Sequence, residues 1–343
     1  MKKEEYLGHA LIAWYEDNKR DLPWRHTNNP YHIWVSEMML QQTRVDTVIP
    51  YYLRFIETFP TIKALSQASD EQLLKLWQGL GYYRRVLFMK QAAIQCCELY
   101  HGQLPSSYDE LVNLKGIGPY CASAIASFAF CLPHPVVDGN VIRVCSRLWR
   151  KNEYYDTDKK KKELAQEILG MMPLDQCDTF NQAIMELGAL VCIPNGQPKC
   201  SQCPWNLWCQ AYKYQEIDLY PKLKKAKKRK VEKYTIVILQ CNDEIHVVQR
   251  PKGGLLEGLY QFDMLEGVLS LREILAKYKD FGIKEYKQLP SKKHIFTHKE
   301  WEINAYWLNV ENKSDGLWIN RSQYEQDYAL AGAFESYLKY ISF

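Results

Sequence analysis

Four cysteines fall within eighteen residues, CIPNGQPKCSQCPWNLWC, at Cys192, Cys200, Cys203 and Cys209, spaced C-x7-C-x2-C-x5-C. Zinc sites usually set cysteines in two C-x2-C knuckles separated by a longer loop. Here one C-x2-C is flanked by single cysteines, making one compact four-thiolate site; an iron–sulfur cube suits it better, with zinc the alternative. Two carboxylates form a second constellation. Glu37 stands in NNPYHIWVSEMMLQQTRVDTV with Ile33, Trp34 and Met38 close by. A carboxyl among large apolar side chains keeps its proton to higher pH and can act as a general acid; the plain alternative is a half-exposed surface glutamate. Asp138 opens a helical pattern in PHPVVDGNVIRVCSRLW, either as an N-terminal cap or as a functional carboxylate. Carboxylates in unlike surroundings are what glycosidic cleavage uses: one protonates the leaving group, the other stabilises positive charge on the sugar.

The elements that must position these groups are helical. Asn29-Pro30 supplies a cap and a first-turn proline, so Glu37 is expected on a helix with Leu40, Gln41 and Arg44 on its face. LKGIGPYCASAIASFAF places Gly116 and Gly118 between two helix-like segments. The glycines allow a tight turn with backbone N–H groups uncovered at a helix start, where a phosphate can sit; an ordinary inter-helix turn would look the same. Apolar residues recur at three and four spacings (Leu7, Leu11, Trp14; Ile184, Leu187, Leu190) up to about residue 212, so this part reads as all-α. PKLKKAKKRKVEK, with eight basic residues and one acidic, reads as a solvated linker. Beyond it, short β-rich runs such as YTIVILQ and IHVVQR and an amphipathic LREILAKY predict an α+β domain. The expected boundaries are 1–215, a linker at 216–232 and 233–343.

A chain of 343 residues with 47% apolar content can bury two cores, and its net charge of +4 is too small alone to announce a nucleic-acid partner. No apolar run approaches the ~20 residues of a membrane span and the N-terminus lacks a signal-peptide core, so a soluble cytoplasmic protein is expected. Seven further cysteines are scattered in apolar helical stretches, as reduced thiols are.

WVSEMMLQQTRV, GLGYYRR, LKGIGPYCASAI, VVDGNVIRV, ELGALVC and the cysteine loop together resemble the helix-hairpin-helix DNA glycosylases with a [4Fe–4S] cluster, and most closely their adenine-removing members. The resemblance covers residues 6 to 211 and continues more loosely through RPKGGLLEGLYQF and HIFTH. It implies a monomeric enzyme that acts on double-stranded DNA containing adenine paired with 8-oxoguanine or guanine. The cluster would sit on Cys192, Cys200, Cys203 and Cys209, although the family usually has C-x6-C where this chain has C-x7-C. Gln42 and Tyr82 match residues that wedge into the base stack; Trp24, Arg25, Leu40 and Gln182 match the base pocket. Gly116 and Gly118 match the backbone-gripping hairpin. Glu37 would protonate adenine, Asp138 would stabilise the sugar cation, and Asn140 and Tyr120 would orient them. Relatives such as endonuclease III have a lysine at the position of Tyr120, whose amine attacks the sugar; a phenol implies no efficient strand cleavage. The C-terminal part resembles a Nudix-like domain without the metal-holding glutamates of the hydrolases. Its Phe296, Thr297 and His298 match a family Phe-Ser-His loop that reads the 8-oxoguanine strand.

Overall fold

The computed structural model describes residues 3–224, 228–313 and 315–342. Part of the basic tract, 225–227, therefore lies outside the described residues. The chain divides into two compact units, one of Met1–Gln67 with Phe88–Lys225 and the other of Ala68–Leu87 with Ala226–Phe343.

The helices before the basic tract are, in chain order, α1 (Lys3–Asn18), α2 (Pro30–Leu40), α3 (Val45–Thr58), α4 (Ile62–Gln67), α5 (Asp70–Leu76), α6 (Arg84–Leu99), α7 (Tyr108–Asn113), α8 (Pro119–Phe130), α9 (Gly139–Trp149), α10 (Asp158–Leu169), α11 (Cys177–Leu190) and α12 (Gln210–Lys213). No strand interrupts them among the described residues. As the sequence predicts, Asn29 caps α2: its side-chain oxygen accepts from the Tyr31 amide at 2.9 Å, and Pro30 supplies the first turn. The helix stops sooner than expected. It ends at Leu40, Gln42 turns into left-handed backbone (φ 60°), and Arg44 caps α3, so Gln41 and Arg44 do not continue the Glu37 face. Between α7 and α8, Gly116 adopts φ 77°, and a Cβ there would lie 2.6 Å from the Phe88 Cβ. Only glycine fits such a turn without strain.

One core of this unit joins α1, α9, α10 and α11 through Leu7, Leu11, Val144, Leu164, Phe180 and Leu187. Trp205 from the cysteine loop completes it, fully buried, with its indole N–H donated to the Leu7 carbonyl at 2.9 Å. Among the described residues no helix is long and apolar enough to cross a membrane, and every described cysteine is free of disulfide.

The second unit is built on a mixed sheet of seven described strands: β1 (Lys230–Cys241), β2 (Glu244–Gln249), β3 (Tyr260–Gln261), β4 (Asp263–Glu266), β5 (Ile283–Ile295), β6 (Lys299–Val310) and β7 (Leu317–Ile319). The order is β3-β2-β1-β6-β5, with β1 and β6 parallel from Lys230↔Lys299 to Gln240↔Asn309. Val237, Leu239 and Cys241 alternate onto one face beside Tyr306, Leu308 and Val310 of β6, and α13 (Leu271–Lys277) covers them with Ile274. The α+β expectation holds. The strand nevertheless begins inside the basic tract, at Lys230, because parallel pairing with β6 satisfies its backbone groups.

Residues 68–87 cluster with this unit for visible reasons. The Lys75 ammonium donates to the Tyr324 carbonyl at 2.5 Å, and the Gln78 amide to Glu335 at 2.6 Å.

Candidate active site

The helical unit encloses a cleft of about 580 Å³. Eight of the residues singled out from sequence line it: Glu37, Asp138, Asn140 and Tyr120, with Trp24, Arg25, Leu40 and Gln182. Each is set by a local device. Glu37 rides on α2 and is 4% exposed. Asp138 is the cap of α9, its Oδ1 accepting from the Val141 amide at 2.7 Å while Oδ2 accepts from Asn140 Nδ2 at 2.8 Å. The capping alternative read for Asp138 holds, and the same side chain lines the cleft. Arg143 Nη2 donates to Asn140 Oδ1 and to the Gly188 carbonyl, each at 2.8 Å, and Arg143 Nε to the Cys192 carbonyl at 2.7 Å, so α9, α11 and the cysteine loop share one polar anchor.

The two carboxyls are held differently. Burial pushes Glu37 up to about 7, against a smaller opposing pull from the Tyr120 hydroxyl, which donates to its Oε2 at 2.7 Å; nearby Asp138 adds to the rise and Arg25 tempers it. Burial also raises Asp138, but the Val141 amide and the Asn140 side chain and amide stabilise its anion. With one such donor against three, the anion is better stabilised on Asp138 than on Glu37. Tyr120, its hydroxyl driven well above the ordinary phenol value by burial, stays a neutral donor.

Glu186 and Tyr15 also line the cleft and were not singled out from sequence. Glu186, 1% exposed on α11, accepts from Arg20 Nε at 2.9 Å and Nη2 at 2.7 Å and from Arg25 Nη1 at 3.1 Å and Nη2 at 2.9 Å. Burial alone would raise this carboxyl; bonds from Arg20 and then Arg25 outweigh it and hold it at about 2. The Arg25 guanidinium stands 5.4 Å from the Tyr15 ring centroid, and the Tyr15 hydroxyl donates to Gln182 Oε1 at 3.0 Å. Glu186 thus fixes Arg25 and, through it, the wall that carries Gln182. The available signal was spacing: Glu186 lies one turn beyond Gln182 on the same helix.

The remaining predicted residues lie elsewhere. Gln42 is exposed directly after α2, and Gly116 and Gly118 form the hairpin between α7 and α8, with neither glycine on the cleft wall. In the second unit Tyr82 is also left-handed (φ 48°). Arg85 holds that turn, donating to the carbonyls of Leu80 at 3.3 Å and Gly81 at 3.1 Å. The Tyr82 hydroxyl meets Thr297 Oγ1 at 2.7 Å. Thr297 sits with Phe296 and His298 in the turn from β5 to β6, closed by the Phe296 amide donating to the Lys299 carbonyl at 2.8 Å. Thr297 and His298 are exposed, while Phe296 packs edge-on to Trp301 at 4.7 Å.

The four clustered cysteines line one pocket, walled by Val144, Leu148, Leu187 and Trp205. Arg147 Nη1 approaches Cys192 Sγ at 3.3 Å. Within the C-x7-C span the chain bends at Asn195-Gly196, where the glycine has φ 78°. Four soft donors around one apolar pocket fit an iron–sulfur group chemically, although among the described residues no three His, Cys, Asp or Glu side chains are set closely enough to hold a metal ion.

Removing Glu186 would leave two arginines without their shared anion. Glu186→Ala is expected to lower unfolding stability by about 3 kcal/mol, the usual scale for breaking a buried ion pair. Denaturant midpoints measure it, and a change below about 1 kcal/mol would mean the clamp is dispensable.

The HhH-GPD superfamily base excision DNA repair protein model matches residues 35–171, and a NUDIX domain model matches residues 234–340. An adenine DNA glycosylase of Buchnera aphidicola subsp. Baizongia pistaciae is 34% identical over 325 residues, 91% of this chain and 90% of the relative. The Homo sapiens adenine DNA glycosylase is 31% identical over 372 residues, 89% of this chain and 67% of that one. Among solved structures, a thermostable thymine-DNA glycosylase superposes with a TM-score of 0.57 at 26% identity, over 62% of this chain and 97% of its own. Endonuclease III in a non-covalent DNA complex gives 0.53 at 21% identity over 63% of this chain and 99% of its own, a likeness of fold. Similarity runs through both units, from the helical cleft to the mixed sheet, and the chain belongs to the adenine DNA glycosylase family within the HhH-GPD superfamily.

Proposed function

We propose that this chain is a monofunctional glycosylase, acting as a monomer on intracellular duplex DNA, that excises adenine mispaired with 8-oxoguanine or guanine. The observation that carries this reading is the unequal pair in the cleft: a buried Glu37, pushed up to about 7, with the Tyr120 hydroxyl on it, and Asp138, which accepts from the Val141 amide and the Asn140 side chain. The bond to be cut lies inside the duplex stack, so the nucleotide must be flipped out, at a cost of a few kcal/mol. The cleft volume of about 580 Å³ accommodates a nucleoside. Glu37 delivers its proton to adenine N7, so the base departs neutral, and the resulting carboxylate then positions or deprotonates water. Asp138 stabilises the developing sugar cation, held by Asn140 and Val141. Trp24, Arg25, Leu40 and Gln182 surround the base. The left-handed backbone at Gln42 and Tyr82 supports a wedging role, since strain of this kind collects at functional positions. Thr297, bonded to Tyr82, would bring the β5–β6 turn to the opposite strand.

A [4Fe–4S] cluster on Cys192, Cys200, Cys203 and Cys209 would brace the loop against α9 and α11, a structural contribution. It would also present exposed Lys199 to the DNA backbone.

Single-turnover incubation with an adenine:8-oxoguanine duplex, followed by alkali to reveal abasic sites, tests the reading. Wild type should release adenine and Glu37→Gln should lose at least about 10²-fold in rate; no release by the wild type would end the proposal. The rate should hold up to about pH 7 and fall above it as Glu37 ionises. On the acid side it should fall as Asp138 takes up a proton, above the ordinary aspartate range. Because Tyr120 offers no amine, borohydride should trap no covalent adduct during base release; trapping at the rate of excision would refute monofunctional chemistry. Chain purified under anaerobic conditions should be brown and carry iron, whereas a zinc-loaded, colourless protein would favour the rival four-thiolate metal.

A further inference from the structure

Two of the scattered cysteines, Cys131 and Cys177, meet outside both the acid pair and the cysteine loop. Cys131 closes α8 in left-handed backbone (φ 52°), a conformation that favours glycine and that a Cβ makes costly. Cys177 is the first residue of α11 and is fully buried. One turn further in along each helix, Asn181 Nδ2 donates to Ser127 Oγ at 2.8 Å, and both residues are fully buried, so the spacing of the two helix ends is fixed. Beyond that brace the two sulfurs reach the same stretch of chain. The Cys131 thiol donates to the Asp175 carbonyl and to Asp178 Oδ1, each at 3.8 Å, and the Cys177 thiol to the Leu174 carbonyl at 3.2 Å. The two thiols are also hydrogen-bonded to each other. Of the eleven cysteines, Cys131 alone is exposed.

We propose that Cys131 and Cys177 form a thiol–disulfide modification site, oxidised to an intrachain disulfide by a low-molecular-weight disulfide. Exposed Cys131 reacts first: its thiolate attacks one sulfur of R–S–S–R, the S–S bond of the oxidant breaks, and one R–S⁻ leaves. Cys177 then gives its proton to solvent and attacks Cys131 Sγ, displacing the second R–S⁻. Two protein S–H groups become one S–S bond, and the two electrons and two protons end on two R–SH. Burial pushes the Cys177 thiol up to about 11, with Cys131 adding to the rise, which leaves the first attack to Cys131. The bond joins the end of the helix that carries Tyr120 to the start of the helix that carries Gln182. It also removes the S–H group that bonds Asp178, a carboxylate on the cleft wall. A purely structural pair has no use for a thiol in solvent, nor for a cysteine where glycine is less strained.

The test uses the full chain, purified anaerobically in reductant, freed of it, and exposed while folded to oxidised glutathione. Remaining thiols are then alkylated and the digest is read by mass spectrometry. Wild type should yield a peptide pair linked through Cys131 and Cys177. Cys177→Ser should stop at one glutathione on Cys131. Cys131→Gly, which suits the left-handed turn, should leave Cys177 unmodified. Oxidation should raise the thermal midpoint of the wild type, reversibly with dithiothreitol, and the rise should be absent from Cys177→Ser treated alike, because a bond that fits the native packing constrains the unfolded chain. Absence of the link in folded wild type overturns the proposal, as does a link that forms only after unfolding in urea. A linked chain with a lowered thermal midpoint, or glutathione on Cys177 of folded Cys131→Gly, overturns it too.

Discussion

Glu37 keeps its proton because burial strips its carboxyl of most of its solvation. Taking the carboxyl from 4.5 to about 7 makes its ionisation in the folded chain costlier by about 3 kcal/mol, and most of the helical unit's arrangement around the cleft serves that desolvation. α2 carries the group inward, and α8 packs against α2 with fully buried Ala122, Ala124 and Ile125. Tyr120, the second residue of α8, supplies a neutral donor that holds the side chain without fully restoring its ionisation. A lysine at that position would bring a positive charge to the same oxygen and favour the carboxylate. The Tyr120 phenol, which offers no amine, therefore also favours the acid form of Glu37.

Asp138 shows the complementary solution. It is buried too, but a helix start and an asparagine give its anion three donors, and Arg143 secures that asparagine from behind. Glu186 applies the same logic to positive charge, pinning Arg20 and Arg25 so that the cleft has a fixed cation on one wall. These three carboxyls differ in no way by composition. Their donors set how readily each gives up its proton.

What could be read from sequence was what depends on near neighbours. The Asn29-Pro30 start of α2, the hairpin glycines, the Asp138 cap and the four-cysteine loop all carry their cause within a few residues. The end of α2 was misplaced because left-handed backbone at Gln42 leaves no compositional trace. Glu186 escaped notice because its partners are 161 and 166 residues away. The early start of β1, at Lys230, depends on pairing with Lys299 across the sheet, and a run of lysines alone reads as solvent-exposed chain. Likewise the attachment of 68–87 to the second unit rests on side chains such as Gln78 reaching Glu335, which no local pattern announces.

Burial, not a dedicated charged partner, is the largest influence raising Glu37 to about 7. Carbon-13 NMR of side-chain-labelled glutamate, comparing the wild type with Glu37→Gln to assign the resonance, reads this carboxyl directly through a pH titration. One glutamate should titrate near pH 7 and disappear in the variant. A Glu37 resonance titrating at the ordinary value of 4.5 would contradict it.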